Sequence, residues 1–328
     1  MQMLEQIRAL PKAELHLHIE GTLEPDLAFA LAQRNGVQLR FPTVEALARA
    51  YDFADLQSFL NLYYECMSVL IRPADFTDLA NAYLERAARD GVRHAEMFFD
   101  PQAHTSRGIP LDDVVAGLRS AVLEAPVRHG ISATLIACFV RDRPVAEAMT
   151  TLEGLAAHLD VIQGVGLDSA EVGHPPSAFR EVFEAAEQLG LRKVAHAGEE
   201  GPPSYVWEAL DVLGVERVDH GIRSVEDAAL LRRLAADRTP LTVCPLSNVR
   251  LRCVESLDQH PLPRLLDAGV MVTVNSDDPA YFGGYVAANY LALQEALGLD
   301  LETLAALARN SLEASFTDAR RHPFSTSS

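Results

Sequence analysis

Two histidines near the start of the chain are spaced so that they could hold one metal ion. His16 and His18 lie in the stretch 13–22 (AELHLHIEGT), where apolar and polar residues alternate with the period of a β-strand. Residues two apart in a strand project from one face, and imidazole is the commonest metal-ligating side chain. The pair alone would also fit a half-buried strand with two incidental histidines, so its interpretation depends on the rest of the chain.

Further polar residues stand at the ends of other strand-like runs. They are Glu171 (in GLDSAE), His196 and Glu199 (HAGE), His220 (DHG), and Asp277 and Asp278 (NSDDP). Three histidines and one carboxylate form a zinc-type ligand set with a further position for water. Bound zinc lowers the pKa of water to about 7, which makes hydroxide available at neutral pH. Glu199 and His220 would then handle protons.

Each of these residues also has an ordinary structural explanation. His196 could be a core histidine, but the small residues on both sides of it favour close approach of a bound group. Glu199 could be a solvated loop charge. Asp277 and Asp278 would repel each other unless a cation or hydrogen-bond donors occupy the site. One of them could instead cap a helix that begins at Pro279.

A second histidine–glutamate motif does not support a catalytic role. His94-Ala95-Glu96 spells the H-x-E of cytidine-type deaminases, but those sites also need P-C-x-x-C, which this sequence lacks. The motif lies at the start of a predicted strand, and we interpret it as structural. Four cysteines without CxxC spacing indicate neither a disulfide framework nor a thiolate zinc site, and they fit a reducing cytoplasm.

Strand-like and helical segments alternate along the whole chain and would bring these residues together. The predicted strands are 13–22, 94–101, 134–141, 164–171, 192–199, 217–221, 240–248 and 271–279. Eight such units predict an α/β fold, a closed (β/α)8 TIM barrel, whose C-terminal strand ends meet at the catalytic face. An open doubly wound sheet is the alternative, but no GxGxxG or GxxxxGK[ST] phosphate loop supports it.

We expect residues 1–328 to form a single barrel domain. A long helical region, roughly 23–90, follows the first strand and is expected to form a lid that excludes water. Its apolar residues Phe59, Leu60 and Tyr63 are expected in the core rather than at the substrate. The tail 319–328 is expected to be peripheral.

The composition limits the partners of the chain. It has 328 residues, 48% of them hydrophobic, and a formal net charge of −18. This charge argues against nucleic acid and against anionic membrane surfaces. The sequence shows no bilayer-spanning apolar run and no leader peptide. We expect a small-molecule partner, and a homo-oligomer is compatible with the sequence.

Taken together, the motifs resemble the adenosine/adenine deaminase family of metal-dependent hydrolases. The matching pieces, in the family's order, are PKAELHLHIEGT (11–22), GLDSAE (166–171), HAGE (196–199), DHG (219–221), CPLSN (244–248) and NSDDP (275–279). The resemblance implies one zinc ion per chain, held by His16, His18, His196 and Asp277. It implies that Glu199 protonates purine N1, that His220 orients and deprotonates the attacking water, and that Asp278 bonds purine N7.

Two departures from the nucleoside-specific members bear on the substrate. Those members usually have an aspartate that contacts ribose where this chain has Glu20, and a glycine that meets purine N3 where it has Glu171. We expect Glu171 to project toward the N3/N9 edge, where free adenine can donate its N9–H and adenosine cannot. The pattern resembles the adenine deaminase branch, and Ser169 of the same motif is counted with the substrate-binding residues.

We therefore expect zinc-dependent hydrolytic deamination of adenine to hypoxanthine and ammonia, as part of purine salvage in the cytoplasm. One alternative is a deaminase of adenosine or of an N6-substituted adenine. Another is a barrel hydrolase that acts on an amide or ester and has no reader for a purine edge. The third is a catalytically silent purine-binding protein, which would have lost a ligand or the proton donor.

Overall fold

The predicted barrel is confirmed by a computed structural model that describes residues 2–51, 53 and 56–317. Eight parallel strands pair in chain order, β1 to β8. The strands are β1 (Lys12–His18), β2 (Val92–Phe99), β3 (Ser132–Val140), β4 (Ile162–Asp168), β5 (Arg192–Ala197), β6 (Arg217–His220), β7 (Leu241–Val243) and β8 (Val272–Val274). The last two are shorter than predicted, and in the case of β7 a helix that begins at Pro245 takes up the second half of the expected range.

Helices connect the strands and cover the outside of the barrel. In the described residues they are α1 (Gln2–Ala9), α2 (Pro25–Asn35), α3 (Val44–Ala50), α4 (Leu56–Met67), α5 (Pro73–Arg89), α6 (Pro101–Thr105), α7 (Leu111–Arg128), α8 (Val145–Leu155), α9 (Arg180–Gln188), α10 (Pro203–Glu208), α11 (Ala228–Asp237), α12 (Pro245–Arg250), α13 (Leu262–Asp267), α14 (Pro279–Phe282), α15 (Val286–Leu297) and α16 (Leu301–Ala314). Helices α2 to α5 form the predicted helical region after β1. The predicted peripheral tail, 319–328, lies outside the described residues, and none of the helices within them is long and apolar enough to cross a membrane.

A β-bulge in β1 decides which way its histidines point. Between Glu14 and Leu17, three residue steps on β1 match only two on β2. Without this extra residue, Glu14 and His16 would face the same side. Instead Glu14 accepts a hydrogen bond from Tyr83 of α5 outside the barrel (2.8 Å), whereas the His16 ring lies against Thr242 of β7 in the interior. The bulge therefore turns His16 toward the centre of the barrel.

The backbone of Asp277 links the last strand to the first. Its N–H donates to the carbonyl of His16 (3.1 Å), and its carbonyl accepts from the N–H of His18 (3.0 Å). Asp277 has a φ of 63°, in the left-handed region that aspartate tolerates better than most residues. These bonds bring the β8 end and both histidines of β1 to the same rim.

The H-x-E motif of β2 makes its contacts at the end of the barrel opposite to His18 and Asp277. Glu96 forms a fully buried ion pair with Arg217 of β6 (2.8 Å) and accepts the N–H of Phe316 (2.5 Å). The guanidinium of Arg217 also stacks over the Phe316 ring, 4.3 Å from its centroid. These contacts agree with the structural interpretation of the motif.

Candidate active site

Four side chains from β1, β5 and the β8 end converge inside the rim. The ligand atoms of His16, His18, His196 and Asp277 all lie within 4.8 Å of one another, and all four residues are buried. The Nε2 atoms of His18 and His196 are 3.2 Å apart. Asp277 Oδ1 lies 3.5 Å from His16 Nε2 and 3.6 Å from His18 Nε2. These are the four residues predicted to hold the metal.

The other ring nitrogen of two of these histidines faces Asp219, which the sequence interpretation had not assigned. Asp219 Oδ2 lies 3.5 Å from His196 Nδ1, and Oδ1 accepts from the Thr242 hydroxyl, which is 2.9 Å from His16 Nδ1. Although burial opposes ionisation, the nearby His196 imidazole holds the pKa of Asp219 below its usual range. Carboxylates in this position fix the tautomer and orientation of metal-ligating histidines.

The second ring nitrogen of His18 also faces carboxylates, and we did not predict either of the two. Its Nδ1 lies 3.5 Å from Asp168 Oδ2 and 3.9 Å from Asp100 Oδ1. Burial raises the pKa of Asp168 to about 6, and burial together with the Asp168 charge raises the pKa of Asp100 well above its usual range. The sequence offered one signal for both, since each stands at the C-terminal end of a strand.

The residues predicted to move protons lie beside the ligand cluster. Glu199 Oε2 is 3.5 Å from His220 Nε2, which is 3.7 Å from Asp277 Oδ2. The Asn248 amide donates to Glu199 Oε1 (3.2 Å) and also lies 3.2 Å from His220 Nδ1. Burial, helped by the Asp277 charge, raises the pKa of Glu199 well above its usual range. Burial lowers the pKa of His220 well below its usual range.

These shifts give the two side chains opposite capacities. A carboxyl with a raised pKa holds its proton more readily than a free one, and an imidazole with a lowered pKa stays neutral more readily. The two shifts are therefore in the directions that would suit a proton donor and a proton acceptor beside the ligand cluster.

Asp278 is held against the loop that follows β1. A side chain at Gly21 would place its Cβ only 1.9 Å from Asp278 Oδ1, so only glycine fits there. Asp278 precedes α14 but makes no side-chain capping bond, which excludes the ordinary capping role for it. Burial, then the adjacent Asp277 charge, raises the pKa of Asp278 well above its usual range. It faces the cavity and is available to a ligand.

A cavity beside these groups combines a polar floor with an aromatic wall. Its floor includes His18, Glu199, His220 and Asp278. The wall comes from α4 and α14 and comprises Phe59, Leu60, Tyr63, Tyr64 and Phe282. We expected Phe59, Leu60 and Tyr63 in the core. Phe59 and Tyr63 are buried there, but all three also line the cavity, because α4 lies between the core and the site.

Known proteins resemble this chain over nearly its whole length. The family model for adenosine deaminase matches residues 11–323. The chain belongs to the adenosine deaminase family. An adenine deaminase of Streptomyces coelicolor is 65% identical over 314 residues, which cover 96% of this chain and 92% of the relative.

Solved structures agree with this family assignment. The crystal structure of an adenine deaminase from Arthrobacter aurescens superposes with a TM-score of 0.93 at 56% identity, covering 95% of this chain and 96% of the other. An amidohydrolase from Burkholderia ambifaria, solved with bound Zn, has a TM-score of 0.89 at 31% identity, covering 97% and 88%. The resemblance inferred from the motifs is confirmed.

We expected Glu171 and Glu20 to contact the substrate. Neither is among the described residues that line the cavity. Instead of projecting toward a purine, the Glu171 carboxylate accepts backbone N–H groups of the loop after β5. Glu20 Oε1 accepts the N–H of Asp100 (3.1 Å) and lies 2.8 Å from His104 Nε2. Ser169, in contrast, does line the cavity, and its role toward substrate stays a prediction.

Proposed function

We propose that this enzyme deaminates adenine hydrolytically, giving hypoxanthine and ammonia, with one zinc ion per chain. The observation that carries the proposal is the convergence of four buried ligand atoms beside Glu199 and His220, whose pKa values are shifted in the directions that suit a proton donor and a proton acceptor. The relatives named as adenine deaminases confirm the predicted activity on adenine. The alternative activity on adenosine or an N6-substituted adenine is not favoured.

The residues present fit a metal ion. His16 Nε2 is buried and has no hydrogen-bond partner within the described part of the chain, although it points at the other three ligands. Three imidazoles and one carboxylate are the donor set that zinc prefers, and a homologous amidohydrolase holds Zn. The ion would be held by His16, His18, His196 and Asp277. When bound, it supplies Lewis-acid activation of the attacking water.

The chain's own residues account for the remaining steps. Glu199, protonated, donates to purine N1 and makes C6 electrophilic. His220 orients the attacking water, accepts its proton and passes that proton to the amino group as the C6–N bond breaks and ammonia leaves. The proton of the new C6 hydroxyl returns to Glu199 as the carbonyl forms. Asp278, whose pKa is raised by burial and by the Asp277 charge, hydrogen-bonds purine N7. The aromatic wall packs on the base and limits water in the site, which strengthens these electrostatic interactions.

We expect conversion of adenine to its 6-oxopurine to exceed conversion of adenosine or N6-methyladenine by at least about a hundredfold in kcat/KM, because a site that hydrogen-bonds one form of the base strongly rejects altered forms. The oxopurine product is measured rather than ammonia, since N6-methyladenine would release methylamine. All three compounds should be assayed on one preparation whose zinc content has been measured. Equal activity on adenosine would contradict the assignment to adenine. Activity on amides or esters, without binding of any purine, would favour another barrel hydrolase.

We expect Asp219→Asn to weaken zinc affinity by about 10- to 100-fold, since Asp219 orients two ligands without touching the metal itself. Competition with a chelator of known affinity would measure this change. Asp258→Asn, on the exposed surface, is the matched control with the same change of charge. Unchanged zinc affinity in Asp219→Asn would show that Asp219 does not support the ligands.

The cellular setting follows as part of the proposal. Free adenine is a product of purine breakdown, so an enzyme that converts it to hypoxanthine would act in purine salvage. The four cysteines are free in the structure, which supports a reducing compartment such as the cytoplasm. Assembly into a homo-oligomer stays a prediction.

A further inference from the structure

The carboxylate of Glu171 sits in a cradle of four consecutive backbone N–H groups. Gly198 donates to Oε1 (2.6 Å), and Glu199, Glu200 and Gly201 donate to Oε2 (3.1, 2.8 and 2.8 Å). Successive backbone N–H groups that converge in this way form an anion-binding concavity. Here the anion is a side chain of the protein itself, and Glu171 is only 2% exposed.

This cradle is the loop that carries the proton donor. It runs from the end of β5 at Ala197 to the start of α10 at Pro203, and Glu199 lies in its middle. The chain can wrap around the carboxylate because of its glycines. Gly198 has a φ of 73°, and a Cβ at Gly201 would lie 2.5 Å from Glu171 Oε1.

A second anchor holds the loop from the other side. Arg223 donates its backbone N–H to the carbonyl of Gly198 (2.9 Å) and its guanidinium to the carbonyl of Glu200 (2.5 Å). Glu171 thus accepts the N–H groups of the loop, and Arg223 donates to two of the loop's carbonyls. The backbone on both sides of Glu199 is therefore fixed, while the Glu199 side chain lies at the cavity.

We propose that Glu171 is a positioning residue, which fixes the 198–201 loop and thereby places the Glu199 carboxyl for proton transfer to the base. This rests on the proposed function. Because both carboxylate oxygens are engaged by the loop, Glu171 has no part in reading the purine. The glutamate that we first interpreted as a substrate reader acts through its neighbour.

The test compares Glu171→Gln with wild type. Glutamine turns one oxygen into an NH2 group, which cannot accept a hydrogen bond, so at least one loop N–H loses its partner. We expect kcat for adenine to fall by about a hundredfold, as for other small displacements of catalytic groups, while KM changes less than about threefold. Hydrogen exchange at the 198–201 amides should accelerate in the variant and stay unchanged in the rest of the barrel.

A second variant disturbs the cradle without altering Glu171. Gly201→Ala pushes a methyl group against Oε1, and we expect the same fall in kcat with KM preserved. Glu208→Gln is the matched control, because its carboxylate also accepts a backbone N–H, that of Ser177 (3.0 Å), but lies outside the cavity lining. We expect wild-type kinetics for it.

The outcomes separate the two possible roles. If Glu171 read the N9–H, Glu171→Gln would raise KM for adenine at least tenfold, and its preference for adenine over 9-methyladenine would collapse; either result would overturn the proposal. Unchanged exchange at 198–201 would overturn it as well. A wild-type enzyme inactive on adenine would instead contradict the proposed function, and the exchange experiment would still test the cradle.

Discussion

Glu199→Gln is expected to lower kcat for adenine by about 10²- to 10⁴-fold, the usual contribution of a positioned general acid. Glutamine keeps the shape and the contact with Asn248 but has no proton to transfer to a ring nitrogen. Zinc content should be unchanged, because Glu199 is not one of the four converging ligands. KM should change little, since the variant still fills the same space. Steady-state kinetics and metal analysis on the same samples test this.

The pH profile of Glu199→Gln provides an independent check. In the wild type, Glu199 must be protonated to act, so activity should be present below its raised pKa and lost as the pH rises through it. The residual activity of the variant should not show this decline as the pH rises. Glu255→Gln, at an exposed position, is the control and should behave as wild type. A Glu199→Gln enzyme with near-normal kcat would show that another group protonates the ring.

The order of the strands was predictable, because it depends on local pattern, and the resemblance to the family implied which four residues could hold a metal. Alternating apolar runs predicted the eight strands. Polar residues at the strand ends predicted that the candidate site lies at the C-terminal face of the barrel. The direction in which His16 points was not predictable in the same way. It depends on a bulge set by pairing with β2, and a period-two pattern contains no trace of that extra residue.

The supporting residues were harder to predict than the ligands. Asp219 directly precedes His220 in a buried strand, so a charged residue there was a usable signal that we did not assign. Thr242 carried no comparable signal, since a threonine in a strand is common. Its contact with His16 arises only when the sheet closes and leaves β7 one strand away from β1.

The contacts of Glu171 differ from those that the family pattern suggested. That pattern suggested a side chain that points at the substrate. The structure shows a side chain that points at the next strand's loop, 27 to 30 residues further along the chain. Sequence spacing cannot reveal such a cradle, because its four donors are backbone groups that every residue except proline possesses.

Asp277→Asn is expected to lose bound zinc and to reduce adenine deamination by at least about 10³-fold, since a catalytic metal contributes several kcal/mol to transition-state stabilisation. Asparagine is the appropriate replacement. It tolerates the left-handed φ of 63° at this position. The backbone bonds to His16 and His18 that join β8 to β1 should therefore remain, and the barrel should fold normally.

The variant also separates two contributions of the same carboxylate. Oδ1 faces the histidine ligands, whereas Oδ2 accepts from the Ser247 hydroxyl (2.6 Å) and lies 3.7 Å from His220. If Asp277→Asn retained both zinc and activity, Asp277 would not be a ligand. If it retained zinc but lost activity, the carboxylate would act on His220 and the attacking water rather than on the metal. Asp267→Asn, exposed on α13, should bind zinc and turn over adenine as wild type does.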